Sequence, residues 1–292
     1  MRQKVIAGQV SAGICRGVPR VLAAALLLIS STNPVWAEEP AAGGGGKDLR
    51  AAAQNPISSL ISLPFKFTFD NGAENGDANF LNINPVLPVT VGDWNLVNRA
   101  LIPIIDAPGG ISGLPSIPNP TPGERETGLG DINYSLFFSP VKYDKVIWGL
   151  GPSITLPTAT EDQLGSGKWS LGPTFVALTQ PKWGSAGILL RQLWSVAGES
   201  DRSSVSQALI EPFINYNLKN GWYLLTDSVL TANWNASSGN KWTVPIGGGA
   251  GRLFKLGNQP INAKAEAYYN VASPDGAPDW TLSFQWTFLF PK

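Results

Sequence analysis

The side chains able to do chemistry in this chain are charged and amide groups set singly into alternating stretches. Lys66 and Thr68 lie between Leu63, Phe65, Phe67 and Phe69. Asp131, Asn133 and Ser135 alternate with Ile132, Tyr134, Leu136 and Phe138. Glu211, Asn215 and Asn217 oppose Ile210, Ile214, Tyr216 and Leu218. Asn262, Lys264, Glu266 and Tyr268 oppose Ala263, Ala265, Ala267 and Tyr269. Residues two apart share one face of a strand, so each charge falls on the face away from the large apolar groups. Arg99, Arg191 and Asp227 join the set from stretches that alternate less cleanly.

Few reactions are open to such a set. The chain has no His, one Met at position 1 and one Cys at position 15. Without imidazole, Ser–His and His–Asp arrangements are excluded, as are zinc sites built on His or Cys. A carboxylate-only site from Asp131, Glu211 and Glu266 is the remaining acid–base option, and nothing in the sequence groups those three. Loop acids such as Glu124, Glu126, Glu161, Asp162, Asp275 and Asp279 could hold calcium or lipopolysaccharide-linked cations; solvated loop positions are the ordinary reading. The run Gly247–Gly251 follows a strand pattern but precedes no helical period, so it is not a phosphate loop; it suits a bend or a close neighbour. The expectation is a chain that is not an enzyme and holds no cofactor or metal.

The elements that would position these groups are strands. The last, Trp280–Phe290, puts Trp280, Leu282, Phe284, Trp286, Phe288 and Phe290 on one face and Thr281, Ser283, Gln285, Thr287 and Leu289 on the other. Such a face must meet another sheet or lipid. The charged fraction is 14%, below the ~25% of soluble domains, and this favours lipid. The spacing predicts twelve strands, near 58–70, 79–91, 94–105, 129–140, 146–157, 169–180, 183–197, 205–218, 222–233, 241–254, 261–271 and 280–290. No 18-residue apolar run follows residue 57. The links alternate long and short, the long ones being Asn71–Ala78, Asp106–Gly128, Thr158–Lys168, Gly198–Ser204, Trp234–Asn240 and Ala272–Asp279. That rhythm and the even count fit an all-β, antiparallel transmembrane barrel with both termini periplasmic. Asp106–Gly128, the longest link, is the one expected to fold over or into the lumen. Trp94, 148, 169, 183, 194, 222, 234, 242 and 280 lie mostly at strand ends, as interfacial girdles do. Prolines 85, 88, 103, 152, 173, 212 and 245 fall in or near strands and imply bulges or strand ends there.

Residues 1–37 read as a secretory signal, with Arg2, Lys4, Arg16 and Arg20 before the apolar run Val21–Ile29 and cleavage near Ala37. Its removal leaves 17 basic and 21 acidic residues, a net charge of −4, which gives no footprint for nucleic acid. Residues 38–57 are a Gly-rich segment, expected as a flexible periplasmic tail, with folding into the lumen as the alternative. Residues 58–292 are the expected barrel.

A charge at the lipid midplane is costly, so the lumen is the expected place for Lys66, Arg99, Asp131, Asn133, Arg191, Glu211, Asn215, Lys264, Glu266 and Gln285. Two readings stay open: a permeation path with a charged constriction, or a lumen filled by charges that satisfy one another.

Several runs carry a resemblance. They are Gly128–Asn133, Trp148–Pro152, Leu156–Thr158, Leu164–Ser170, Pro212–Leu218, Gly221–Tyr223, Trp242–Pro245 and the terminal Phe288–Lys292. Together they resemble a family of bacterial outer-membrane proteins described as transporters, some misnamed neuromedin U, and the wider group linked to the MetA pathway of phenol degradation. The resemblance spans nearly all of residues 54–292. It implies an outer-membrane location in a Gram-negative bacterium after Sec-type export, contact with lipid, lipopolysaccharide and the barrel-assembly machinery, and passage of small, hydrophobic or aromatic solutes. It supplies no catalytic or ligand residues.

Overall fold

The structure is a computed structural model and describes residues 45–291, with side chains from residue 49. The expected signal segment lies outside the described residues.

Fifteen strand segments form one antiparallel sheet that closes on itself. Three breaks divide strands without ending them, so the wall has twelve spanning strands. They are β1 (Ile61–Asn71), β2 (Ala78–Ile83 and Val86–Val91), β3 (Trp94–Ala107), β4 (Glu126–Leu129 and Ile132–Pro140), β5 (Ile147–Leu156) and β6 (Lys168–Thr179). The rest are β7 (Gly184–Gly198), β8 (Ser206–Asn217), β9 (Trp222–Thr226 and Leu230–Asn233), β10 (Trp242–Leu256), β11 (Gln259–Ala272) and β12 (Trp280–Phe290). Each pairs with its neighbours in sequence. The seam joins β1 to β12 in unbroken register from Ile61↔Phe290 to Asn71↔Trp280. Closure removes every unpaired edge, which a wall in lipid requires.

The breaks have local causes. Pro85 cannot donate to a ladder, and β2 lapses at Asn84–Pro85. At Gly130–Asp131 the Asp131 carboxylate turns inward and accepts from Ser166 N and Oγ, both at 2.7 Å, and from Ala159 N at 3.3 Å. At Asp227–Val229 the Asp227 amide donates to Tyr268 Oη at 2.9 Å.

The other prolines divide. Pro245 sits on the one register shift between β10 and β11. Pro152 and Pro173 lie opposite each other, and the ladders lapse on their far sides, at Leu136–Phe137 against β5 and at Gln192–Leu193 against β6. Pro88 stays within regular pairing with β3, so no bulge is needed there; Pro212 pairs regularly with β7, but its ladder to β9 lapses at Glu211–Phe213, opposite the break at Asp227–Val229.

Outside, the wall is apolar. Phe67, Leu87, Leu150, Leu171, Ile214, Leu224, Ile246 and Phe284 are all exposed. Trp94, Trp148, Trp183 and Trp222 ring the short-turn end; Trp169, Trp194, Trp234, Trp242 and Trp280 ring the long-loop end. Trp94 meets Trp148 edge-on at 6.2 Å between ring centroids, and Trp234 meets Trp242 at 5.5 Å. An apolar band between two aromatic belts is the outer surface of a membrane barrel. No described helix is long and apolar enough to cross a membrane; the crossing is made by strands.

Two segments enter the barrel mouths. Residues 108–125 span the long-loop end. Ile111, Leu114 and Ile117 bury against Phe80, Ile105 and Leu164. Asn119 reaches the carbonyls of Ser203 and Ser204, and Gly113, Pro115 and Pro118 accept from Thr243, Gln207 and Asn233. At the short-turn end, helix α1 (Gly45–Ala53) leads into a turn that inserts Ile57, only 2% exposed. Where the sequence suggests a free tail, its described part ends in a turn that folds inward, because Ile57 and Leu60 find an apolar seat that water would deny them.

Candidate functional site

The twelve strands and both inserted segments enclose a cavity of about 460 Å³, with at least one lining residue from every strand. Its wall has two charged faces that differ in how their charges are matched.

On the first face, the register aligns Lys66 with Gln285, and Gln285 with Lys264, across β1, β12 and β11. Glu266, opposite Ser283, carries Oε2 3.8 Å from Lys66 Nζ and 3.2 Å from Lys264 Nζ. Lys264 also pairs with Asp227, delivered by the break in β9. Tyr268 donates to Glu266 Oε1 at 3.0 Å or to Asp227 Oδ1 at 3.1 Å. Gln285 spaces the two lysines and donates to Thr287 Oγ1 at 2.9 Å. In this cluster two cations face two anions and are internally satisfied; Asp70, further along β1, adds a third carboxylate to the face. The Glu266 side chain is fully buried beneath Lys264 and does not itself border the cavity.

On the second face, Arg99, Arg191 and Glu211 from β3, β7 and β8 border the cavity without an ion pair within 4.0 Å among the described residues. Arg191 instead donates to Asn133 Oδ1 at 2.7 Å, reaching past β5 and β6. Asn133 in turn donates to Ser153 Oγ at 3.1 Å and Thr155 Oγ1 at 2.9 Å. This face has one carboxylate for two guanidinium groups. Asn215 borders the cavity nearer the short-turn end and donates to Ser185 Oγ at 2.9 Å. Asp131 borders it nearer the long-loop end, tied to Ser166.

Sequence reasoning missed two contributors. Asp70, 7% exposed on β1, accepts from Thr281; its place two residues beyond Thr68 was the available signal. Ile57 lay before the first expected strand, and its only mark was the run Asn55–Ile57, which shares the family resemblance. Gly251 belongs to neither face, and its place in the glycine run has a cause. A Cβ there would come within 2.3 Å of the Tyr223 ring, whose hydroxyl donates to Asn262 Oδ1 at 2.7 Å. Among the described residues no three acidic, His or Cys side chains gather as a metal site would need. The arrangement can bind, pass or exclude polar groups.

A closed, lipid-facing barrel with a polar interior is a bacterial outer-membrane β-barrel, and the outer membrane is where this chain belongs. Among solved structures, the chain is similar to an outer membrane channel from Pseudomonas putida F1, with 13% identity, a TM-score of 0.55, and 79% of this chain and 94% of that one covered. It is also similar to outer membrane phospholipase A from Escherichia coli (11% identity, TM-score 0.40, covering 83% and 98%) and to CdiB from Acinetobacter baumannii (8% identity, TM-score 0.34, covering 80% and 60%). The first likeness is one of fold. No family model and no curated protein matches the sequence.

Proposed function

We propose that this barrel is a passive channel for small solutes, which cross the outer membrane through a narrow, charge-lined lumen. The observation that carries the reading is the continuous cavity, bordered by all twelve strands and reaching from Asn55 at one end to Pro118 at the other. The unpaired Arg99, Arg191 and Glu211 support it, because charges that only filled space would gain most by pairing. Two further supports are the fold shared with an outer membrane channel and the sequence resemblance to transporter-like barrels, which also suggests hydrophobic or aromatic solutes. In this reading Lys66, Arg99, Asp131, Asn133, Arg191, Glu211, Asn215, Lys264 and Gln285 line the path, and Glu266 holds the lysines in place.

A second reading, a structural or surface-interaction barrel, is favoured by one observation: both mouths carry inserted segments. Planar-bilayer recording separates the two. The channel reading expects small, stepwise currents, larger in a barrel lacking both residues 38–57 and most of 108–125. In that open variant Arg191→Glu is expected to shift the reversal potential in a salt gradient toward cations. If the doubly trimmed barrel inserts and carries no current, the channel reading fails and the structural one stands.

A further inference from the structure

We infer that the segment Arg50–Leu60 is a tethered plug and the gate of this barrel, closing the inner mouth through Ile57. The inference rests on the channel reading and assigns where the closure sits.

The closure at that end is apolar. Ile57 joins one cluster with Val86, Val97, Phe137, Ile147, Val176, Leu178, Leu189 and Phe213. Those eight come from β2 through β8, seven successive strands, and all point into the lumen. Among the cluster's buried members Ile57 alone belongs to no strand. Val97, Phe137 and Val176 are at most 1% exposed. The fit is close: a Cβ on Gly149 would come within 3.2 Å of Ile57 Cδ1. Apolar side chains on seven of the twelve strands disfavour water and ions along that arc, and Ile57 seated among them narrows the passage at the inner mouth.

The local sequence aims the plug. Asn55 Oδ1 accepts from the Ile57 amide at 3.0 Å, and the Ser58 amide donates to Asn55 O at 3.2 Å. An Asx turn followed by Pro56, whose φ is fixed, holds the chain in a bend with Ile57 at its tip.

The tether is light. Gln180 donates to Ala51 O at 2.7 Å, Gln54 to Asn217 Oδ1 at 2.9 Å, and Arg50 to Leu218 O at 3.1 Å. All three anchors lie at the short-turn ends of β6 and β8. The segment continues into the wall only at β1, so it can leave its seat without breaking a strand ladder. The outer loop is different: it is fixed at both ends by β3 and β4 and buries three large aliphatic side chains. Of the two inserted segments, the inner one is built to move.

The test uses the full mature barrel in a planar bilayer. With residues 1–37 removed no native cysteine remains, and Gln54→Cys with Asn217→Cys should lock the plug. The oxidised protein is expected to open about ten-fold less often than after reduction, and the reduced protein to gate as the parent does. Ile57→Asp puts a charge into the apolar seat and is expected to raise opening about ten-fold. Heat-modifiable gel migration shows that each variant is folded, and the Ile57→Asp arm decides alone if the disulfide does not form. The inference is overturned if the locked and reduced forms open equally often, or if Ile57→Asp gates as the parent. If that happens while the doubly trimmed barrel still conducts, the path exists and its gate lies elsewhere. If nothing conducts, the channel reading and the plug fall together.

Discussion

Lys264→Met is expected to destabilise the barrel by about 3–5 kcal/mol, the usual cost of stranding a buried charge. Lys264 contacts both Asp227 and Glu266, and the Glu266 side chain is fully buried. Lys66 cannot take over, because its ammonium stands 3.8 Å from Glu266 Oε2 and pairs with no other carboxylate. Removing Lys264 leaves Asp227 without an ion pair and Glu266 with only the partly exposed Lys66. The physical account makes a second claim: Asp227→Asn in the Lys264→Met background should recover part of the loss, since it removes the stranded charge. Denaturant titration in lipid vesicles, followed by tryptophan fluorescence and gel migration, gives all four corners of the cycle. Equal and additive losses would mean that the network is not coupled, contrary to the contacts seen here.

The second large effect concerns which way β1 faces. Phe67, 44% exposed, lies near the middle of the strand opposite Phe284; Thr68 borders the cavity opposite Ser283. Phe67→Lys puts an ammonium near the bilayer midplane, at an expected cost of about 2–4 kcal/mol. Thr68→Lys puts the same group one residue further on, into the lumen, and is expected to cost less than about 1 kcal/mol. The same unfolding titration reads both. Equal costs for the two neighbours would contradict the assigned faces. The test also probes the seam, where Phe65 meets Phe288 at 6.1 Å and Phe69 meets Phe284 at 6.5 Å between ring centroids.

The wall was legible in the sequence because each spanning strand repeats one rule, large apolar out and small or polar in. That rule marked β1, β8, β11 and β12 as spanning strands with one apolar and one polar face. Link lengths then fixed the order of turns and picked out the loop that crosses the mouth. The breaks in β4 and β9 were not legible. They arise because Asp131 and Asp227 leave the ladder to meet Ser166, Lys264 and Tyr268, contacts 35 to 41 residues away. Alternation carries no information at that range. It also could not show that the charges divide into a matched face and an unmatched one, which depends on angles around the barrel. The N-terminal segment stayed open between tail and lumen for a related reason. Its Gly-rich composition suggests a free chain, and Ile57, which seats it together with Leu60, has no periodic neighbours to mark it.

The seam and the socket occupy different arcs of the circumference. The seam joins β1 to β12, whereas Ile57 is held by β2 through β8. Integrity of the wall and tightness of the passage are therefore separable properties of one molecule. With Ile57 as the proposed plug, substitutions that weaken the seam leave the passage closed until the barrel unfolds, and substitutions around Ile57 make it leak at full stability. Across a set of variants, permeability and resistance to denaturant need not rank in the same order, and a bacterium could lose its permeability barrier with every barrel still intact.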